Sequence, residues 1–265
     1  MFPLQTNTFP ADANELERLL NESVRQVLIT RNDPVRVVGD RFAALKEIAV
    51  NLDGAELHRN PPPPRMPAGA TLPALQVAQF SMSGERVSVG PATIDLSIRA
   101  QAVGLSQGRD ARDEIVLTLE RAENGTVEVS ISKAGVEKAL AEVAKSEAGK
   151  QGVTVDDVRL NLRQVGPRAL ETEASFRARK MFFSTTVRIT AKLEIDEQLN
   201  AQVSNLNCAG DGAIGSLACG FLAPHLAKVD GRTFPLMTLS MGEVRLRDVR
   251  LSVGERLTVT AEFGG

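Results

Sequence analysis

The amino-acid sequence predicts an α+β protein in which a long, curved antiparallel sheet wraps around helices. Several segments alternate strictly between apolar and polar residues, which is typical of strands with one solvated face. This alternation slips by one residue in two places, which predicts β-bulges that bend the strands. The segment AGDGAIGSLACGFLAPHLA, residues 209–227, has a single charge and a helical spacing of its large apolar residues. We interpret residues 1–265 as a single, elongated domain.

The first predicted helix lies near residues 12–30. The segment ANELERLLNESVRQVLIT places its leucines and valines on one stripe, which includes Leu20 and Val27. The Pro-rich segment RNPPPPRMPAG follows and predicts an extended, solvated loop at about 59–73. Similar strands lie on both sides of this loop, and the part before it is too small for a domain. We therefore predict a loop within one domain.

The middle of the chain predicts strands and a second helix. TIDLSIRAQ alternates with Ile94, Leu96 and Ile98 on one face. IVLTLERAENGTVEVSIS predicts two strands joined in a hairpin at Asn124-Gly125, because Asn-Gly is a strong signal for a tight turn. The next segment, SKAGVEKALAEVAKSEAGK, predicts a helix near 133–148, with an apolar stripe at Val136, Leu140 and Val143.

The second half of the chain carries the clearest alternation and both slips. In TVRITAKLEID, every second residue from Val187 to Ile195 is apolar. The slips occur at Asp156-Asp157 and at Arg247-Asp248, where the apolar residues resume one position out of step. We predict a bulge at each site and, from the two together, a strongly curved sheet.

The 209–227 segment predicts a third helix, near 212–228, that protein or ligand encloses. A transmembrane helix needs about 20 mostly apolar residues. Here four glycines dilute the segment, and Pro224 interrupts it. Pro224 removes one helical hydrogen bond, so we expect it to bend the helix without ending it. Because residues move apart along a helix, Cys208 and Cys219 favour two free, buried thiols, with a disulfide as the alternative in an exported protein.

Composition and spacing argue against several functional classes. With 31 basic and 33 acidic residues and no Trp or Tyr, the chain has no basic, aromatic surface for nucleic acid. Of the two histidines, His225 points about 240° away from Cys219 on one helix, which does not suit a Cys–His pair. Asp156 and Asp157 point to opposite faces of a strand, which does not suit a metal site. We therefore predict a protein that is not an enzyme and has no cofactor.

The order of these features resembles the LmeA-type family of bacterial phospholipid-binding proteins, which belongs to the tubular lipid-binding (TULIP) superfamily. The resemblance covers roughly residues 12–263. It rests on the N-terminal helix followed by DPVRVVGDRFAALKEIAVNLDGAEL, on VEVSISKAGVEKAL, where a strand runs into a helix, and on the final strands VRLRDVRLSVGERLTVTA. The Pro-rich insertion departs from the family pattern, and so does the N-terminus, which lacks the features of a signal peptide.

The resemblance implies a tube that holds a phospholipid or fatty-acyl ligand, and a transient contact with a membrane surface is a further option. The residues themselves predict a bent sheet with one apolar face around an apolar helix, whereas only the resemblance implies that the ligand is a lipid. The small residues of 209–227 do not fill a wide space, so we expect an apolar groove between sheet and helices. Its candidate lining residues are Leu20, Val27, Phe183, Leu217 and Phe221.

Two interpretations of function stay open at this point. In the first, the protein binds or transfers lipid without catalysis. In the second, the same fold has a fully packed interior and serves as a structural or assembly protein that binds partners by its surface. Inward-facing Leu, Ile and Val are compatible with both. The compartment is also open, since the sequence fits both a cytoplasmic protein and the mature form of a cell-envelope protein.

Overall fold

A computed structural model describes residues 1–149, 152–180, 183–236 and 244–265, without the side chains of residues 147, 180, 183, 221 and 225. Strands hold 56% of the residues and helices 18%, and the sheets are open. This confirms the α+β prediction at the level of fold class.

All three predicted helices are present. The side chain of Asp12 accepts a hydrogen bond from the Glu15 N–H and so caps the first helix. Pro224 lies within the last turn of the third helix, so it does not end the helix, as predicted, whereas the predicted bend stays a prediction. The helices are α1 (Ala13–Val27), α2 (Lys133–Gly149) and α3 (Gly212–Leu226).

The larger sheet has eleven strands and is mixed. Most of its described pairs are antiparallel, as expected, but β4 and β5 each run parallel to β6. The central order is β15-β16-β9-β7-β6-β4-β3. The strands are β1 (Phe2–Pro3), β2 (Leu28–Ile29), β3 (Val35–Val38), β4 (Ala44–Asn51), β5 (Glu56–Leu57), β6 (Leu72–Val89), β7 (Ala92–Arg109), β8 (Ile115–Arg121), β9 (Asn124–Ser132), β15 (Arg245–Val253) and β16 (Arg256–Gly264).

The predicted hairpin at Asn124-Gly125 is wrong. Both residues lie inside β9, and β8 and β9 each pair with β7 instead of with each other. Gly125 is needed for a different reason, which is the close approach of an aromatic ring. A Cβ at Gly125 would lie 2.1 Å from the Phe263 ring, so only glycine leaves room for that ring.

The smaller sheet is a five-stranded antiparallel meander in which each strand pairs with the next along the chain. The bulge predicted at Asp156-Asp157 is confirmed, because the register of β10 against β11 shifts there and Asp157 has a φ of 52°. Around Arg247-Asp248 the burial pattern of β15 also changes phase, and Val249 and Leu251 are buried after the change. The strands are β10 (Thr154–Gly166), β11 (Ala169–Lys180), β12 (Phe183–Ile195), β13 (Asn200–Gly210) and β14 (Thr233–Pro235).

The chain divides into two compact units. The first unit comprises Met1–Val129, Leu239–Asp248 and Thr260–Gly265, and the second comprises Ser130–Thr238 and Val249–Val259. The chain crosses between them within β9, β15 and β16. The single-domain interpretation stays a prediction.

The main hydrophobic core lies in the first unit, where α1 packs against the larger sheet. Leu16 and Leu20 of α1 are buried there together with Ile48, Val77 and other strand residues. The buried side chain of Asn21 fixes α1 to β3, because it donates to the Val35 carbonyl and accepts from the Val35 N–H. These two bonds satisfy backbone groups that the core would otherwise leave without a partner.

The Pro-rich loop is held to the first unit by the side chain of Arg65 and by a backbone hydrogen bond from Ala68. The loop occupies the positions before β6, which begins at Leu72, so the last two residues of the predicted 59–73 loop are in a strand. The guanidinium of Arg65 is largely buried and forms an ion pair with both Asp110 and Glu114. The loop is therefore anchored, in contrast to the fully solvated segment that its composition predicts.

Candidate functional site

One face of the five-stranded sheet in the second unit is charged. Its charges pair across neighbouring strands, with Arg163 bound to Glu171 of the facing strand and Arg188 lying 3.4 Å from Glu173. A hydrogen bond and the charge of Asp156 raise the pKa of Arg179. This face is solvated and internally neutralised, so it does not suit an apolar ligand.

The opposite face of the same sheet is apolar and only partly covered. Cross-strand partners share a face, and Val187 pairs with Phe176, just as Leu193 pairs with Leu170. Val187 and Leu170 are fully buried, but Phe176 and Leu193 remain partly accessible. The sheet is therefore amphipathic, as its alternation predicts, and its apolar face is not sealed among the described residues.

A disulfide joins α3 to this apolar face. Cys208 of β13 is the cross-strand partner of Ile189, which places its side chain on the apolar side. Its sulfur is bonded to that of Cys219 in α3, and the two Cα atoms lie 5.5 Å apart. The expectation of free thiols is therefore wrong. It assumed that the helix runs on from the strand, whereas α3 folds back over the strand that precedes it.

Two glycines make this reversal possible. A Cβ on Gly210 would lie 2.4 Å from the Gly215 carbonyl oxygen, so β13 and the first turn of α3 touch backbone to backbone. The Asp211 N–H also donates to the Thr186 carbonyl, and the Thr185 hydroxyl donates to the Asp211 carbonyl. The start of α3 is thus fixed to β12 and β13 independently of the disulfide.

The outward side of α3 is exposed and apolar. The helix carries no Asp, Glu, Lys or Arg from Gly212 to Leu226, and Ile214 and Leu217 are 41% and 65% exposed. The sequence predicted that protein or ligand encloses this helix; the described residues of the protein do not cover these two side chains, and enclosure by a ligand stays a prediction. The apolar spacing was correct, but periodicity by itself does not show whether an apolar stripe is covered.

The apolar stripe of α2 is exposed in the same way. Val143 is 61% exposed and Leu140 is also accessible to solvent. The helix runs beside β10, where the Glu137 carboxylate accepts a hydrogen bond from the Leu160 N–H just after the bulge. Both described helices of the second unit thus present large apolar side chains to solvent.

The predicted groove residues divide between the two units. Leu20 is 2% exposed and packed in the core of the first unit, and Val27, at the end of α1, is 38% exposed. Leu217 and Phe221 lie in α3 and Phe183 begins β12, so these three belong to the second unit. The side chains of Phe183 and Phe221 lie outside the described residues.

The residues that the sequence raised for catalysis or metal binding form no such site where they are described. His58 Nε2 lies 3.1 Å from the Arg25 carbonyl oxygen, within hydrogen-bonding distance. The described residues contain no group of three or more His, Cys, Asp or Glu side chains arranged to hold a metal ion. Nor does any helix in the described ranges combine the length and apolar character required to span a bilayer. The side chain of His225 lies outside the described residues.

Comparison with known proteins does not assign the chain to a family. No protein-family model, no curated protein and no solved structure matches it.

Proposed function

We propose that the second unit binds an acyl-chain ligand, such as a phospholipid or a fatty acid, without catalysis. The single observation that carries this proposal is the position of α3. An uncharged helix with Leu217 exposed is tied by a disulfide to the accessible apolar face of a sheet. Exposed apolar surface of this kind is characteristic of sites that bind ligands, membranes or other proteins.

Burial of these side chains supplies a driving force for such a ligand. Full burial of a leucine or valine side chain contributes about 1.5–3 kcal/mol, and each buried CH₂ of an acyl chain adds about 0.8 kcal/mol. α3 is bonded through Cys219 to a sheet face that includes the partly accessible Phe176 and Leu193. An acyl chain that covered several of these residues would gain several kcal/mol without forming a hydrogen bond.

The resemblance to LmeA-type and TULIP proteins supports the same ligand class. It implies an apolar groove between a curved sheet and helices, and the sheet-rich α+β architecture agrees with it at that coarse level. The exposed side of α3 also supports a transient contact with a lipid surface during loading and release of the ligand. Neither role requires an acid, a base or a metal.

The first test is mass spectrometry of organic extracts from protein purified without denaturation, together with uptake of a fluorescent phospholipid from vesicles. We expect co-purifying lipid and saturable uptake. Leu217→Glu should lower uptake at least about tenfold, because ligand binding would then desolvate a carboxylate.

The matched control is Leu72→Glu. Leu72 is the same residue type with the same 65% exposure, but it lies in the first unit. We expect this variant to take up lipid like the unmodified protein. If no lipid co-purifies and none is taken up, the proposal fails. A protein partner on the exposed side of α3, as in the structural or assembly interpretation, then takes its place.

A further inference from the structure

A second candidate site lies in the first unit, on the larger sheet. A pocket of about 480 Å³ is formed by residues of β4, β6, β7, β9, β16 and β15, all within the first unit. This volume is typical of small-molecule sites. Nine of the thirteen lining residues are polar or charged, in contrast to the apolar face of the second unit, and this favours a ligand of a different chemical class.

The register of the strands arranges the polar side chains in rows. Glu47 of β4 lies opposite Gln79 of β6, which lies opposite Gln101 of β7. Two residues along β6, Ser81 lies opposite Arg99. Because residues i and i+2 point to the same side of a strand, both rows project from one face of the sheet.

Close packing positions the side of the pocket that is formed by β9, β15 and β16. The Phe263 ring rests on the backbone of β9 at Gly125, where a Cβ would lie 2.1 Å away. The guanidinium of Arg247 lies against Gly264, since a Cβ there would be 3.0 Å from its Cζ. These contacts join β9, β15 and β16 into one wall of the pocket.

The charged side chains of the pocket have no protein partner. Across residues 1–149, 152–180, 183–236 and 244–265, Glu47, Arg99, Arg247 and Glu262 form neither an ion pair nor a side-chain hydrogen bond. On the charged face of the second unit, by contrast, arginines and carboxylates pair across strands, as Arg163 does with Glu171. The pocket therefore holds two cations and two anions that are available to a ligand.

We propose that this pocket binds a short peptide with free termini. In the order of the strands, the charges alternate as Glu47, Arg99, Glu262 and Arg247. An arginine suits a terminal carboxylate, which it can bind through two parallel hydrogen bonds, and a glutamate suits a terminal ammonium. A ligand with one sign of charge would instead lie beside two pocket residues that carry the same sign.

Length and polarity both fit a tripeptide. Arg99 on β7 is two strands away from Glu47 on β4 and two strands away from Glu262 on β16, which is about 10 Å in each direction. Three extended residues span about 10 Å. Between the charges, the side-chain amides of Gln79 and Gln101 offer both donors and acceptors, which match the peptide groups of such a ligand.

Isothermal titration of the full chain with trialanine tests the proposal. Two capped peptides, N-acetyl-trialanine and trialanine amide, each lack one of the terminal charges. We expect saturable binding of trialanine and at least about tenfold weaker binding of both capped forms, because each loses a charge-assisted contact. No saturable binding of trialanine at millimolar concentrations, or equal binding of the three peptides, overturns the proposal.

Variants locate the binding in this pocket. Arg99→Gln and Glu47→Gln should each weaken trialanine binding at least about tenfold. Arg59→Gln changes an exposed arginine at the start of the Pro-rich loop, and this variant should bind trialanine like the unmodified protein. Unchanged binding in both pocket variants overturns the assignment, provided that circular dichroism shows them folded. Lipid uptake is expected to be unchanged in these variants, so this proposal and the lipid proposal fail independently.

Discussion

Removal of the Cys208–Cys219 disulfide is expected to destabilise the second unit by about 2.8 kcal/mol. A cross-link stabilises mainly by reducing the conformational entropy of the unfolded chain, to an extent that depends on the length of the closed loop. The two cysteines are separated by 11 residues in sequence, and a loop of that length gives about 2.8 kcal/mol at 25 °C. We expect this loss in the double variant Cys208→Ser, Cys219→Ser.

Urea unfolding followed by far-ultraviolet circular dichroism measures this loss, since the chain has no Trp or Tyr to report by fluorescence. Reductant should shift the midpoint of the unmodified protein toward that of the double variant, and it should leave the double variant unchanged. Lipid uptake should fall in parallel, because the middle of α3 is then no longer bonded to β13. Two results would refute the reasoning. One is two reactive thiols per chain in the unmodified protein unfolded without reductant, and the other is an unfolding midpoint that changes neither with reductant nor in the double variant.

Three further changes test the packing of the first unit. Gly125→Ala places a Cβ where the Phe263 ring lies and should cost about 1–3 kcal/mol in urea unfolding, whereas Gly69→Ala, with open space around it, should cost little. Asn21→Ala leaves two backbone groups of β3 without partners and should lower the free energy of unfolding by about 1–3 kcal/mol in the same assay. Burial by itself raises the pKa of Asp110, but hydrogen bonds lower it below the ordinary value of 3.8. The contribution of the Asp110 carboxylate to the free energy of unfolding is therefore present above pH 3.8 and is lost as the pH falls through the lowered pKa. Asp110→Asn should therefore reduce the melting temperature at pH 7, and the melting temperature of this variant should decrease less at acidic pH than that of the unmodified protein. An equal decrease at acidic pH in the two proteins would contradict this.

Periodicity predicted the elements well because each stripe or alternation depends only on nearby residues. The three helices follow directly from it, and so does most of β12, whose alternation was evident over residues 186–196. The parallel pairing of β4 with β6 was not predictable in this way, because no local pattern encodes which strand lies beside which. The Asn124-Gly125 dipeptide misled for a related reason. Its glycine leaves room for the ring of Phe263, and Phe263 is 138 positions away in the sequence.

The candidate sites were predictable in part. The 209–227 segment, with its single charge, correctly drew attention to α3, but the exposure of Leu217 depends on what the rest of the chain covers. The disulfide depends on the reversal at Gly210, which spacing along a helix does not reveal. The polar pocket was not predicted at all, because its charges are single solvent-facing residues on strands from Glu47 to Glu262, and each is ordinary in its own segment.

The position of β9 between β7 and β16 has a consequence for synthesis of the chain. β9 ends at Ser132 and β16 begins at Arg256, so one edge of β9 has no neighbour until more than a hundred further residues have left the ribosome. Pairing between segments so distant in sequence is slow, and an unpaired edge can associate with other chains meanwhile. The yield of soluble protein should therefore depend on chaperones during translation more than the stability of the finished fold would suggest.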